Sequence, residues 1–313
     1  MVKSMTPGDP HNKGLIETRD TLLDPRTLAK LHGLELRARH VVEGFVSGLH
    51  RSPYRGFSVE FAEHREYVPG DDLRHLDWKL FGRTDKFYLK RYEDETNLIC
   101  NLLLDVSESM HYRSDDAPLS KFEYGQVLAA ALAWLVLHQN DAVGLATFAE
   151  TTESMVRPGT SASHLQEIVR ILEGTPSTRK TQIGAVMHDL SARLRRRGVV
   201  VVISDLFDQI SHVLAGLKHL RRRRHDVIVL HLLDPAEIDF PFQQVVSFRG
   251  LEGSGEAVVD TRFLRQAYCD ELNDFLHRVK AGCRAQQIDY RLVRTDESLE
   301  VTLSRFLAAG SNS

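Results

Sequence analysis

The sequence predicts an α/β fold in which helices cover both faces of a mostly parallel sheet, the doubly wound arrangement. Apolar runs of strand length recur at 98–104, 142–148, 198–204, 226–233 and 288–293. Runs that are apolar throughout are typical of strands buried on both faces. Segments with helical spacing of apolar residues separate them, and this alternation predicts parallel βαβ units.

The intervening helices are predicted at 120–138, 163–173, 182–195, 211–222, 261–281 and 298–308. The first of these opens with Ser120 and Glu123, the spacing of a capping box in which each side chain satisfies a free backbone N–H. A glycine-containing stretch at 245–259 is interpreted as a hairpin insertion.

The chain is predicted to have three regions. Residues 1–20 are polar and are expected to be disordered. Residues 21–97 combine a helix, which starts near Pro25 and ends near Gly48, with aromatic-rich pieces typical of a small β-rich subdomain. The main α/β domain is expected over 98–308.

Bulk properties favour a soluble cytoplasmic protein without a direct membrane span. The net charge is −3 over 313 residues, which gives no global case for a nucleic-acid partner. Three cysteines without metal-type spacing (Cys100, Cys269, Cys283) are interpreted as ordinary thiols. The N-terminus lacks the apolar stretch of a signal peptide, and the longest uncharged run, 125–140, is too short for a bilayer.

Oxygen-bearing side chains follow the predicted strands. The first strand is followed by Asp105, Ser107 and Ser109, Asp205 follows the run at 198–204, and Thr181 opens a helix between them. Ligands of open α/β sheets bind beyond the carboxyl ends of the strands, so these groups converge if the two strands are neighbours. Hard oxygens select Mg²⁺, with Mn²⁺ or Ca²⁺ as alternatives, over Zn²⁺. Hydroxyls with only two carboxylates leave the ion under-neutralised, which favours a further carboxylate from a partner.

This order of residues resembles the metal-ion-dependent adhesion site of von Willebrand factor A domains, a Rossmann-like fold. The resemblance implies that Ser107, Ser109 and Thr181 contact the metal, that Asp105 and Asp205 act largely through water, and that an acidic residue of a partner protein completes the shell.

The segment EFAEHREYVPGDDLRHLDWK at 60–79 is similar to the signature of the DUF58 family, and the similarity extends over about 25–308. It implies a von Willebrand A-like domain that works with a MoxR-type AAA+ ATPase in chaperone-like complex assembly. Two features depart from the family pattern. Many relatives carry N-terminal membrane helices, which this sequence does not show, and Glu108 stands where a small residue is common.

Several residues have a second interpretation. Asp105, Ser107 and Ser109 could simply cap the structure after a strand, and Thr175, Ser177 or Thr178 could replace Thr181 as a ligand. Asp71, Asp72 and Asp77 fit a turn in which Asp77 pairs with Arg65 or Arg74, although Asp77 and Lys79 also echo the metal-binding core of some nucleases. The runs 195–197 and 221–224 could bind phosphate, but arginines at helix ends also complement the helix dipole.

The motifs favour a binding module over an enzyme. The sequence contains neither a phosphate-binding P-loop nor a G-x-S-x-G nucleophile turn. The predicted function is a Mg²⁺-dependent protein–protein interaction module. The alternative is a metal-dependent hydrolase: a phosphatase that uses Asp105, or a nuclease that uses Asp71, Asp77 and Lys79.

Overall fold

The protein is described by a computed structural model over residues 33–49, 64–66, 88–90, 98–175, 182–243, 245–249 and 256–310. The chain divides into two compact units, one formed by 1–51 with 98–313 and the other by 52–97. The predicted disordered segment 1–20 and most of the segment 60–79 lie outside the described residues. Within the smaller unit, strands β1 (His64–Glu66) and β2 (Tyr88–Lys90) form an antiparallel pair.

The larger unit is built on a six-stranded sheet. Its strands are β3 (Ile99–Asp105), β4 (Ala142–Phe148), β5 (Thr152–Gly159), β6 (Val199–Ser204), β7 (Asp226–Leu233) and β10 (Asp289–Arg294). They lie in the order β10-β7-β6-β3-β4-β5, with every pair parallel except β4–β5. Strands β8 (Val245–Arg249) and β9 (Glu256–Asp260) form a separate antiparallel pair, where a hairpin was predicted.

Of the helices in the described residues, one precedes the strands, one follows them, and the others lie between them in the sequence. They are α1 (Leu34–Leu49), α2 (Lys121–His138), α3 (Ala162–Gly174), α4 (Ile183–Arg193), α5 (Ile210–Arg222), α6 (Pro235–Asp239), α7 (Thr261–Ala285) and α8 (Leu299–Gly310), with a short 3₁₀ helix at Glu108–His111. Ser120 and Glu123 form the predicted capping box at the start of α2. The predicted doubly wound α/β class is confirmed.

Alternate residues of β3 face two separate cores because side chains alternate across a strand. Leu102 and Leu104 belong to the core beneath α1, α2 and α3, whereas Leu103 belongs to the core beneath α4, α5 and α7. Helix α2 lies close on the strand, since a Cβ added at Gly125 would stand 2.9 Å from the Leu104 side chain. This close packing brings the first residue of α2 over the carboxyl end of the sheet.

Three features differ from the sequence-based expectation. Helix α1 was grouped with residues 52–97, but it packs on the main unit because Leu34, Ala38, Val41 and Val42 are buried in the core with α2. Strand β5 was not predicted, since it is a half-exposed edge strand without a continuous apolar run. The short helix α6 was also missed. Among the described residues, no helix is long and apolar enough to cross a membrane.

Candidate metal centre

The candidate site lies where the order of strands in the sheet reverses. From β3 the chain proceeds to β4 on one side and later to β6 on the other side, so β3 and β6 are adjacent and parallel. Asp105 is the last residue of β3, and Asp205 directly follows β6. Such a reversal is where open α/β sheets bind ligands. The condition set by the sequence, that these two strands be neighbours, is met.

Asp105 is fully buried and is held by donors on both oxygens. Its Oδ1 accepts a hydrogen bond from the Ser107 backbone N–H at 2.9 Å, and its Oδ2 accepts one from the Ser204 hydroxyl at 2.6 Å. Burial, together with the negative charge of Asp205, raises the pKa of Asp105 to about 7, although both hydrogen bonds act in the opposite direction. The carboxylate is therefore fixed in place at a position that favours a nearby positive charge.

The hydroxyls of Ser107 and Ser109 lie side by side at the start of the 3₁₀ helix. Their Oγ atoms are 3.1 Å apart, and both residues are buried. Adjacent oxygen ligands of an octahedral Mg²⁺ with bonds of 2.0–2.1 Å are separated by about 2.9 Å. The spacing of the two serine oxygens therefore fits adjacent ligands of one such ion, and the donor set fits hard cations.

Asp205 begins an irregular turn after β6. Its Oδ1 accepts a hydrogen bond from the Phe207 backbone N–H at 3.3 Å, and its own carbonyl oxygen lies 2.8 Å from Nε2 of His231. The next residue, Leu206, has a φ of 54°, in the left-handed region that non-glycine residues seldom occupy. Backbone strain of this kind occurs more often at functional sites than elsewhere.

The structure adds a cation that sequence reasoning missed. The ammonium of Lys121, the first residue of α2, donates to Asp205 Oδ2 at 2.8 Å and to Glu237 Oε1 at 2.7 Å. The Lys121 side chain is completely buried. Burial alone lowers the pKa of Lys121, but the two carboxylates outweigh that effect and hold the pKa above its usual range. A lysine at a helix N-terminus opposes the helix dipole, and this was the available signal in the sequence.

The predicted ligand Thr181 lies outside the described residues, as do its possible substitutes Ser177 and Thr178. The other substitute, Thr175, donates its hydroxyl to the Ile171 carbonyl at the end of α3. Residues directly after Thr181 are tied to the carboxyl edge of the sheet. The Gln182 N–H donates to the Ala149 carbonyl, and the Ile183 N–H donates to Asp208 of the turn after β6.

The remaining candidate residues from the sequence are Glu108 and the acidic block near residue 71. Glu108, in the first turn of the 3₁₀ helix, is partly exposed and acts electrostatically on His111. The block containing Asp71, Asp72, Asp77 and Lys79 lies outside the described residues. Among the residues that are described, no three histidine, cysteine or acidic side chains form a metal-type cluster.

Comparisons with known proteins identify the relatives of the chain. Uncharacterized proteins of Mycobacterium tuberculosis and Mycobacterium bovis are 26% identical over 99% of this chain and 97% of their own length. Among solved structures, BatB of Bacteroides thetaiotaomicron is 18% identical with a TM-score of 0.47, and the match covers 69% of this chain and all of BatB. The SpRpn10 VWA domain is 12% identical with a TM-score of 0.40, over 66% of this chain and 94% of that domain.

The chain also matches a known protein family. The family described as "Protein of unknown function DUF58" matches residues 63–276, which is more than half of the chain. The resemblance stated from the sequence is thus confirmed, and the chain belongs to the DUF58 family.

Proposed function

We propose that this protein is a metal-dependent protein-interaction module and not an enzyme. A Mg²⁺ ion, or Mn²⁺ or Ca²⁺ in its place, would be held by Ser107, Ser109 and Thr181, with Asp105 and Asp205 acting largely through water. A bound cation of this type supplies an electrophilic position that an acidic side chain of a partner can occupy.

The observation that carries the proposal is the Ser107–Ser109 hydroxyl pair beside the fixed Asp105 carboxylate. The two Oγ atoms, 3.1 Å apart, are buried at the carboxyl edge of the sheet. The Ser107 hydroxyl makes no capping hydrogen bond to the 3₁₀ helix; it shares a hydrogen bond with the Ser109 hydroxyl, beside a carboxylate that has its own two donors. Hard oxygens in this arrangement match the preference of Mg²⁺.

The arrangement of Asp105 favours binding over hydrolysis. A phosphatase nucleophile has to reach a substrate phosphorus, whereas Asp105 is fully buried and accepts hydrogen bonds on both oxygens. Lys121 has its ammonium between two carboxylates and is therefore held as a charged group. A protonated lysine cannot act as a general base. The nuclease alternative concerns residues 71–79, which the structure does not describe, and nothing in the described residues favours it.

The proposed partner is a MoxR-type AAA+ ATPase that supplies an acidic residue, in a chaperone-like assembly within the cytoplasm. This partner comes from the family resemblance. The rim of the site supports a docking role in one respect: Phe207, two residues after Asp205, leaves 38% of its surface exposed. Aromatic residues at the edge of a polar site commonly contribute to protein interfaces.

Calorimetric titration of Mg²⁺ and Mn²⁺ into the full chain tests the proposal. The wild type is expected to bind one ion, and Asp105→Ala is expected to abolish that binding. Asp274→Ala is the matched control, because Asp274 lies exposed on α7 and contacts Arg278 at 3.5 Å. Equal binding by the wild type and Asp105→Ala, or no binding by the wild type with or without the AAA+ ATPase, would contradict the proposal.

A further inference from the structure

Lys121 occupies a position that is costly for a lysine. Its side chain is completely buried, and it begins a helix, where the dipole disfavours positive charge. Transfer of an ammonium ion out of water is unfavourable even after relaxation of the protein. The two ion pairs, with Asp205 at 2.8 Å and Glu237 at 2.7 Å, offset this cost. The residue is therefore held by electrostatics specific to this site.

Aromatic groups enclose the same ammonium. The Phe207 ring centroid lies 4.6 Å from Nζ, which is within the range of a cation–π contact, and the Tyr112 ring lies 6.0 Å away. Glu237 belongs to α6, whose start is fixed by the capping box of Asp234 and Glu237. The Tyr268 hydroxyl, from α7, donates to the Glu237 carbonyl. Lys121 thus joins the turn after β6 to α6 and has little freedom to leave.

The charge balance around the site depends on this lysine. When ionised, the carboxylates of Asp105, Asp205 and Glu237 carry three negative charges together. Lys121 compensates one of these charges. The ammonium lies directly on Asp205, one of the two carboxylates that would face the metal. A divalent ion at the serine hydroxyls would therefore lie near the Lys121 ammonium, which already contacts Asp205. The two positive charges repel each other, and this repulsion is strong where charges are partly buried.

We propose that Lys121 is a permanent counter-ion of the site: it neutralises Asp205 in the metal-free protein and lowers the affinity for a divalent cation until a partner carboxylate joins the ion. This inference rests on the proposed function. It makes metal binding weaker in the free protein than in the complex with the partner, because the ion gains a further negative charge only in the complex. It also lets the domain fold with Asp205 paired when no metal is present.

Replacement of the lysine by a neutral side chain of similar length tests the effect on metal affinity. Lys121→Met is combined with Glu237→Gln so that Glu237 is not left as a second buried carboxylate without a partner, and Asp205 is the carboxylate from which the ammonium is removed. In calorimetric titrations with Mg²⁺ or Mn²⁺ alone, the double variant is expected to bind at least about tenfold more tightly than the wild type, a factor equivalent to 1.4 kcal/mol. Equal or weaker binding by the double variant, beside measurable binding by the wild type, would overturn the proposal.

A second measurement needs no metal. Thermal unfolding in EDTA is compared for Asp205→Asn in the wild-type background and in the Lys121→Met/Glu237→Gln background. The substitution is expected to lower the Tm of the wild type, where the buried ammonium loses one of its two partners. It is not expected to lower the Tm of the double variant, because the ammonium is absent there. An equal loss in both backgrounds contradicts the counter-ion role.

The two measurements separate this proposal from the proposed function. If no variant binds metal, the metal-dependent function fails, and the unfolding comparison in EDTA still decides whether Lys121 is the counter-ion of Asp205. If the wild type and the double variant bind metal with equal affinity through Asp105, the proposed function stands and the role of Lys121 is wrong.

Discussion

Two charged clusters lie at opposite ends of the neighbouring strands β6 and β7, and they differ in burial. At the carboxyl end, Lys121 pairs with Asp205 and Glu237, and the exposed side-chain fractions are 0%, 1% and 12%. At the amino end, Asp226 pairs with Arg221 and Arg197, and their exposed fractions are 55%, 29% and 69%.

Ion pairs contribute differently to stability at the two ends of these strands. Exposed ion pairs are screened by water and salt and contribute about 0–1 kcal/mol. Loss of one partner from a buried pair leaves a charge in a poorly solvated place, which costs about 3–5 kcal/mol. The carboxyl-end cluster therefore couples stability to the candidate site, whereas the amino-end cluster is a feature of the surface.

Removal of one carboxylate from each cluster gives the largest contrast. Asp205→Ala is expected to lower the free energy of unfolding by about 3 kcal/mol or more, because Lys121 loses one of its two partners inside the protein. Asp226→Ala is expected to cost less than about 1 kcal/mol. Urea unfolding in EDTA measures both, and equal costs would show that burial does not separate the clusters.

The hydrogen bond that fixes Asp105 gives an intermediate effect. Ser204→Ala removes the donor to Asp105 Oδ2 and the acceptor of the Leu206 N–H, so we expect a loss of about 1–3 kcal/mol. Ser191→Ala is the matched control, since this buried serine donates only to the His188 carbonyl in its own helix. Unfolding of the two variants under the same conditions would contradict the account if Ser191→Ala were the more costly.

The smallest expected effect is that of salt on the stability cost of each substitution, and it should differ between the two clusters. The cost of Asp226→Ala is expected to fall toward zero in about 1 M NaCl, where the screening length is near 3 Å. The cost of Asp205→Ala is expected to persist, because its partner is shielded from solvent ions. Repetition of the urea titrations at low and high salt tests this, and parallel losses at both clusters would contradict it.

The fold, and the position of four candidate residues at one edge of the sheet, could be predicted from the sequence for the same reason. Apolar runs mark strands, strand ends mark the binding edge, and Asp105, Ser107, Ser109 and Asp205 follow directly after such runs. Because these residues follow neighbouring parallel strands, all four lie at the same edge of the sheet. Thr181 stays a prediction because it lies outside the described residues.

The remainder of the site depends on contacts between distant parts of the chain. Lys121 is 84 residues from Asp205 and 116 from Glu237, and no local pattern links a lysine at a helix start to either one. Ser204 was counted only as the end of a strand, although its hydroxyl binds Asp105 across the sheet. Strand β5 was missed because an edge strand needs no apolar run on both faces.

Mn²⁺ binding followed by electron paramagnetic resonance tests directly whether a metal ion binds at the carboxyl ends of β3 and β6. The chain contains a matched control: the hydroxyls of Ser161 and Ser163 also lie 3.2 Å apart, but they are exposed. We predict that the wild type and Ser161→Ala/Ser163→Ala bind one Mn²⁺ alike, and that Ser107→Ala/Ser109→Ala binds none. Equal Mn²⁺ binding by all three proteins would contradict a metal site at the carboxyl ends of β3 and β6.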